Sequence, residues 1–285
     1  MRKILTILLI AIFFVACDDN DDVITTSNLT LNLNGLETLG ANFVYEGWII
    51  VNGNPVSTGT FTSVNFPQTF SVDASDLAGA AAFVLSIEPA VDPDPAPAPT
   101  KILRGTFSGN SAAVSTEIVG DFSTAAGSFF LRTPTDESGM NNGNDENGVW
   151  FGVPGAPPTP GFTLPTLPAG WAYEGWVIGD AGPISTGTFT AFNTSDSGNL
   201  LSGTLSNAGP PVPGEDFFNN APAGETFPLD VRGRMVVISV EPVPDDSATP
   251  FALKPLVATA GQATAPSVHS FGRNLGSLPT GTVTR

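Results

Sequence analysis

Four glutamates stand at repeated positions in this chain. Glu46 and Glu174 sit in Tyr-Glu-Gly-Trp, and Glu88 and Glu241 in Ser-x-Glu-Pro. Paired carboxylates perform the acid and base work of a glycosidase when both face a cleft and one is held protonated. The same residues also have a structural use. Each repeat supplies one lysine, so Glu88 or Glu46 with Lys101, and Glu241 or Glu174 with Lys254, would form a partly buried ion pair that fixes sheet register. We read them as structural, because Glu46 shares a strand face with Trp48. His269, the only imidazole, lies in a polar stretch, and neither Gly-x-Ser-x-Gly nor Ser-x-x-Lys is present. It reads as a surface histidine and the chain as non-enzymatic. One Cys and one His leave no expected metal site or cofactor. The run from Asp136 to Gly148 offers the hard oxygen ligands that Ca²⁺ prefers. Its spacing does not match an EF-hand, so it reads as a solvated hairpin loop. Tyr45, Trp48, Tyr173, Trp176, Trp150 and Trp171 have the chemistry of a sugar-stacking platform. Trp48 and Trp176, mid-strand, read as core; Trp150 and Trp171, beside Pro and Gly, are the candidates for exposure.

The elements that must position these residues are strands. The chain has 285 residues, 31 Gly, 26 Pro and only 13% charged residues. Few Lys, Glu and Arg among many Val, Thr and Gly argue against helices. Leu29, Leu31 and Leu33 alternate with Thr30, Asn32 and Asn34, the period of a half-buried strand. Residues 82–87 and 235–240 are apolar enough for buried strands, and 92–99, Pro at every second position, is an extended loop. With 27 acidic against 10 basic residues the net charge is −17, and nucleic acid is excluded as a partner.

Residues 36–62 align without gaps to 164–190, an offset of 128, with 16 identities in 27 positions. A second block, Leu85–Pro89 with Lys101 against Ile238–Pro242 with Lys254, has an offset of 153. The change places a net insertion of 25 residues within about 191–226. We therefore expect an all-β protein of two tandem antiparallel β-sandwich domains, 28–132 and 149–285, each with its own core, joined by a polar linker or hairpin loop at 133–148.

Residues 1–16 form a signal peptide: Arg2 and Lys3 precede an apolar run from Ile4 to Val15, too short to span a membrane. The segment ends in Phe-Val-Ala-Cys, which resembles a bacterial lipobox, so Cys17 is the expected site of lipid attachment and the anchor to the membrane. Residues 17–27 are an acidic tether. Removing the signal takes two bases and no acid, giving a mature charge of −19. The tether also resembles export signals to the outer surface, so the expected location is the bacterial outer membrane, on the cell-surface or periplasmic face.

Tyr-x-x-Trp-x-Ile, then Pro-x-Ser-x-Gly-x-Phe, then a strand ending Glu-Pro before a proline-rich loop, resembles the extracytoplasmic C-terminal domain of anti-sigma-K factors. Tyr45, Trp48, Pro55, Gly59, Glu88 and Pro89 carry the pattern in the first half, and Tyr173, Trp176, Pro183, Gly187, Glu241 and Pro242 in the second. The resemblance implies a β-rich extracytoplasmic domain with a binding or sensing role. The chain departs from such factors in lacking a His/Cys sigma-binding region and a second long apolar run, so direct sigma-factor binding is not expected. The expected partner is an envelope protein or ligand. Carbohydrate-binding or hydrolase accessory and structural adhesive module are the competing readings.

Overall fold

The computed structural model describes residues 25–137, 142–202, 209–245 and 247–285. The expected signal peptide, Cys17 and residues 18–24 of the expected acidic tether lie outside these residues. Among the described residues no helix is long and apolar enough to cross a membrane.

The fold is all-β, as the composition requires, with every strand pair antiparallel. The first half contributes β1 (Thr26–Asn34), β2 (Phe43–Val51), β3 (Asn54–Phe61) and β4 (Gln68–Asp73). After helix α1 (Ala74–Gly79) come β5 (Ala80–Pro89), β6 (Lys101–Thr106), β7 (Ser111–Val114) and β8 (Ser128–Phe129). Asp73 caps α1, accepting from the N–H groups of Ser75 and Asp76. Short strands β9 (Gly148–Trp150), β10 (Gly152–Val153) and β11 (Thr159–Pro160) lead into the second half. There follow β12 (Trp171–Ile178), β13 (Pro183–Phe189), β14 (Gly214–Asp216) and β15 (Met235–Pro242). The last are β16 (Leu256–Thr259), β17 (His269–Ser270), β18 (Gly272–Arg273) and β19 (Thr280–Thr284).

Two sheets have the same heart. In the order β3-β2-β5-β6 and the order β13-β12-β15-β16-β18, the Tyr-Glu-Gly-Trp strand lies between its hairpin partner and the Ser-x-Glu-Pro strand. The offset-related strands share a bulge. Pairing slips between Gly47 and Trp48, where Thr58 is extruded, and between Gly175 and Trp176, where Thr186 is extruded. A Cβ at Gly47 would collide with Thr58 Oγ1, and one at Gly175 with Thr186 Oγ1 and the Phe151 ring, so only glycine fits inside the bulge.

The other sheet, β4-β1-β19-β7, departs from the sequence reading. β19 belongs by sequence to the second half, yet it pairs with β1 (Leu33 opposite Gly281) and with β7 (Gly281 opposite Val114). Conversely, the end of the first half crosses over: Ser128 N–H donates to Gly161 O, Ala126 bridges Thr163, and β8 pairs with β17. Gly161 and Ser128 are the offset-related counterparts of Leu33 and Gly281. Each half thus receives its closing strand from the other. The core follows suit: Leu29, Leu31, Tyr45, Phe83, Val283, Phe129, Phe151, Tyr173 and Ile238 belong to one buried cluster. Two sandwiches with separate cores, divided at 133–148, are therefore not what the topology builds, because the exchanged strands carry apolar side chains across that boundary.

The 133–148 segment is also more than a solvated linker. In its described part Thr133, Thr135, Glu137, Asp145 and Asn147 are buried. Arg132 forms an ion pair with Glu137 at 2.8 Å. Asp216 accepts from Thr135 N–H (2.8 Å), Thr135 Oγ1 and Trp150 Nε1 (2.8 Å). Asp216 belongs to the insertion, whose strand β14 pairs with β9, so this part of the insertion is docked rather than an exposed flap.

Candidate functional site

The repeated motifs assemble two matched polar wells. Residues 46 and 48 on β2, and 86 and 88 on β5, point to one face by strand alternation, with Glu46 opposite Ser86. Trp48 Nε1 donates to Ser86 Oγ (2.8 Å), and the Ser86 hydroxyl donates to Glu88 Oε1. Ser57, across the bulge, donates to Glu46. In the second half Trp176 Nε1 donates to Ser239 Oγ (2.7 Å), Ser239 to Glu241 Oε1, and Ser185 to Glu174. Both tryptophans are buried as expected, but they lie on the well side, outside the main apolar cluster. Tyr45 and Tyr173 occupy the core side. Tyr45 donates to Glu37 O (2.8 Å) and stacks on Phe61; Tyr173 donates to Pro165 O (2.6 Å) and stacks on Phe189. Burial pushes both phenols up, far from neutral pH.

The lysines do not complete the wells. Lys101 Nζ donates to Ala98 O at 2.8 Å, and among the described residues neither Lys101 nor Lys254 pairs with the four glutamates. Lys254 acts electrostatically on Glu37 instead. The expected ion pairs are thus replaced by hydroxyl and backbone donors. Glu88, 1% exposed, accepts Ala98 N–H on both oxygens (2.8 and 3.1 Å). Glu241, 0% exposed, accepts Phe251 N–H on Oε1 (2.9 Å), but its Oε2 has no partner. Burial pushes Glu88 and Glu174 up, and Glu241 up to about 8, against the lowering pull of their serine donors.

The remaining sequence candidates have structural roles. His269 is half-buried against Phe129 (5.1 Å); its Nε2 donates to Ala263 O (2.9 Å) and its Nδ1 accepts Gly261 N–H. Trp150 and Trp171, the candidates for exposure, are both buried, the first held by Asp216 and the second packed on Phe251. No exposed aromatic platform results from them. In the 136–148 loop Asp136 accepts from Asn142 and Asn144, and the one group of three converging carboxylates among the described residues lies elsewhere, at Glu174, Glu241 and Asp245.

The sequence reading missed a cavity of about 390 Å³ where the two halves meet. It is walled by Leu39, Phe43, Ile87, Pro89 and Pro99 from one half and by Pro242, Pro244 and Phe251 from the other, with Glu37 and Asp245 as its charged rim. Burial and Asp245 push the Glu37 carboxyl up, while Lys254 pulls it down. The repeated Glu-Pro followed by a proline-rich turn was the available signal: each copy puts a rigid apolar corner at a strand end, and the fold sets the two corners face to face.

A second, shallower cavity of about 380 Å³ opens over the first well, with Glu46, Glu88, Ser57 and Asp92 on its wall. No curated protein and no solved structure matches the chain. The model of the family described as anti-sigma-K factor rskA, C-terminal, matches residues 23–102, which take in β1 to β5, the whole first well and the first-half wall of the apolar cavity.

Proposed function

We propose that this chain is a non-catalytic binding or sensing protein of the bacterial cell envelope, lipid-anchored at Cys17 in the outer membrane. Its two anti-sigma-K-like halves, related by duplication, hold a small apolar ligand between them. The cavity walled by both proline corners carries this reading: pockets of this size with mostly apolar walls and a few charged rim groups are typical of small-molecule sites. The matched wells and shared bulge support the duplication, and the family match over the first half supports an anti-sigma-factor-like domain without catalysis. The lipobox-like Phe-Val-Ala-Cys supports the anchor.

The hydrolase or carbohydrate reading draws on one observation, the cavity shared by Glu46 and Glu88. Against it, Glu88 is occupied by Ser86 and Ala98 and is positioned as an acceptor of fixed donors.

Titration of the mature Cys17→Ser chain with the apolar fluorophore N-phenyl-1-naphthylamine tests the binding site. Saturable enhancement that is lost in Ala98→Trp, which fills the cavity, is the expected result; equal enhancement in both chains would overturn it. Incorporation of radiolabelled palmitate into the full chain, absent in Cys17→Ser, tests the anchor. An unlabelled, unanchored wild-type product would end that part of the reading.

A further inference from the structure

We infer that Glu174, Glu241 and Asp245 form a binding site for a hard divalent cation, Ca²⁺ by its chemistry. The inference is independent of the apolar ligand proposed above. One carboxylate oxygen from each residue lies within 4.8 Å of the others. Ca²⁺ holds oxygens at about 2.3–2.6 Å, so ligands across the ion stand about 5 Å apart and this triangle encloses it.

The second observation is separate from the clustering. Glu241 is completely buried, and its Oε2 finds no donor although Oε1 takes both the Ser239 hydroxyl and the Phe251 N–H. Buried carboxylate oxygens are nearly always partnered, and an unpartnered one beside two further carboxylates calls for a positive ligand. Neither lysine nor arginine supplies it among the described residues. The first half provides an internal control. Its counterparts Glu46, Glu88 and Asp92 follow the same offsets, but both Glu88 oxygens are taken by Ala98 N–H, and no converging triplet forms.

Ligand type narrows the ion. The set is all oxygen, without the nitrogen or sulfur that zinc and copper favour. Asp245 is exposed, which leaves one side open for the waters that complete a Ca²⁺ shell. Mg²⁺ keeps several of its waters and is usually held by one or two carboxylates, so a set of three favours Ca²⁺.

The test uses the full, lipidated chain in detergent, with Tb³⁺ as a luminescent substitute for Ca²⁺ and Trp176, hydrogen-bonded through Ser239 to Glu241, as the sensitiser. We expect Trp-sensitised Tb³⁺ luminescence that Ca²⁺ displaces at about one equivalent, with calorimetry giving the same stoichiometry for Ca²⁺ alone. Asp245→Asn, at an exposed position, is expected to weaken Ca²⁺ at least tenfold with an unchanged circular dichroism spectrum. Glu241→Gln should abolish binding, and Glu88→Gln in the first well should leave it intact. Absence of Ca²⁺ binding at millimolar concentration would overturn the site. So would binding that survives Asp245→Asn, since the ion would then sit in the 136–146 loop or the acidic tether.

Discussion

The two wells run the same sequence of donors, indole to serine to glutamate, yet they end in different electrostatic states. In the first, Glu88 has donors for both oxygens and opens on a shallow cavity beside half-exposed Glu46. In the second, Glu174 and Glu241 are both buried and one oxygen is left without a donor. The backbone N–H that caps the second glutamate comes from offset-related residues, Ala98 in one half and Phe251 in the other. Ala98 is half-buried with a methyl group; Phe251 is buried with a ring against Trp171 and the apolar cavity. The same indole, serine and glutamate relay therefore ends with one carboxylate partnered on both oxygens and the other on one, and the two wells carry different side chains at the capping position. The second difference is the insertion, which brings Asp216 to Thr135 and Trp150.

The largest effect is expected from breaking the exchange that makes the halves interdependent. Ending the chain at Leu278 removes β19, an interior strand of the first half's sheet, together with Val283 and the Arg285 contacts to Leu77 O and Ala80 O. The expected outcome is loss of cooperative thermal unfolding in the first half as well as the second, read by calorimetry and hydrogen exchange. Full protection of β1 and β2 in the truncated chain would show that the halves are self-sufficient.

Phe251→Ala attacks the capping difference directly. Truncating a buried phenylalanine costs ~3–5 kcal/mol, and here it also opens the apolar cavity toward Trp171. A substantial fall in the denaturant midpoint is expected. Ala98→Phe should leave stability nearly unchanged, because its site is half exposed. Equal costs at the two positions would mean that the capping residue does not set the difference between the wells.

Asp216 tests the insertion. Burial pushes its carboxyl up to about 7, despite donors from Thr135 and Trp150, and Glu215 adds to the upward push. Because this value lies above the ordinary 3.8, the acid form is the one folding favours. Its contribution is complete below about pH 4 and is lost as pH rises through about 7. Asp73, Asp121, Asp180 and Asp230 are held below their ordinary value, so their opposite contributions change only in more acidic solution. The melting temperature should fall between pH 4 and 8, with a component on the order of 2–4 kcal/mol that Asp216→Asn removes. An identical pH slope in the variant would assign the dependence to other groups.

How much of this was readable in the sequence follows from what each pattern encodes. Tyr45 and Trp48 with Glu46 between them, repeated at Tyr173, Glu174 and Trp176, give both the strand and its two faces, because side chains alternate. Alternation does not name a strand's neighbour. Val283 reads equally well as an inward residue of either half, which is why the crossing of β8 and β19 was invisible. Thr135 reads as solvated because it is polar; its burial depends on Asp216, 81 residues away, finding it. The cavity needed two distant proline corners to meet, a property of the fold and of no single segment.

The smallest effect, and the sharpest check on the wells, is at Lys101. Its repetition at Lys254 and its placement opposite Ser86 suggest a partner for Glu88, yet the Ser86 hydroxyl and the Ala98 N–H already occupy that carboxylate. The ammonium turns to Ala98 O, a partly exposed bond to a neutral acceptor. Such a bond contributes ~1 kcal/mol or less, and Lys101→Met removes the ammonium while keeping an unbranched apolar side chain. The melting temperature should therefore shift by no more than a few degrees and with little dependence on salt. A buried ion pair would behave otherwise, costing ~3–5 kcal/mol when one partner is removed. A loss of that size in Lys101→Met would restore the lysine to the well, and the same substitution at Lys254, which acts on Glu37 across the cavity rim, would then have to be larger in the half where Glu241 still lacks a donor.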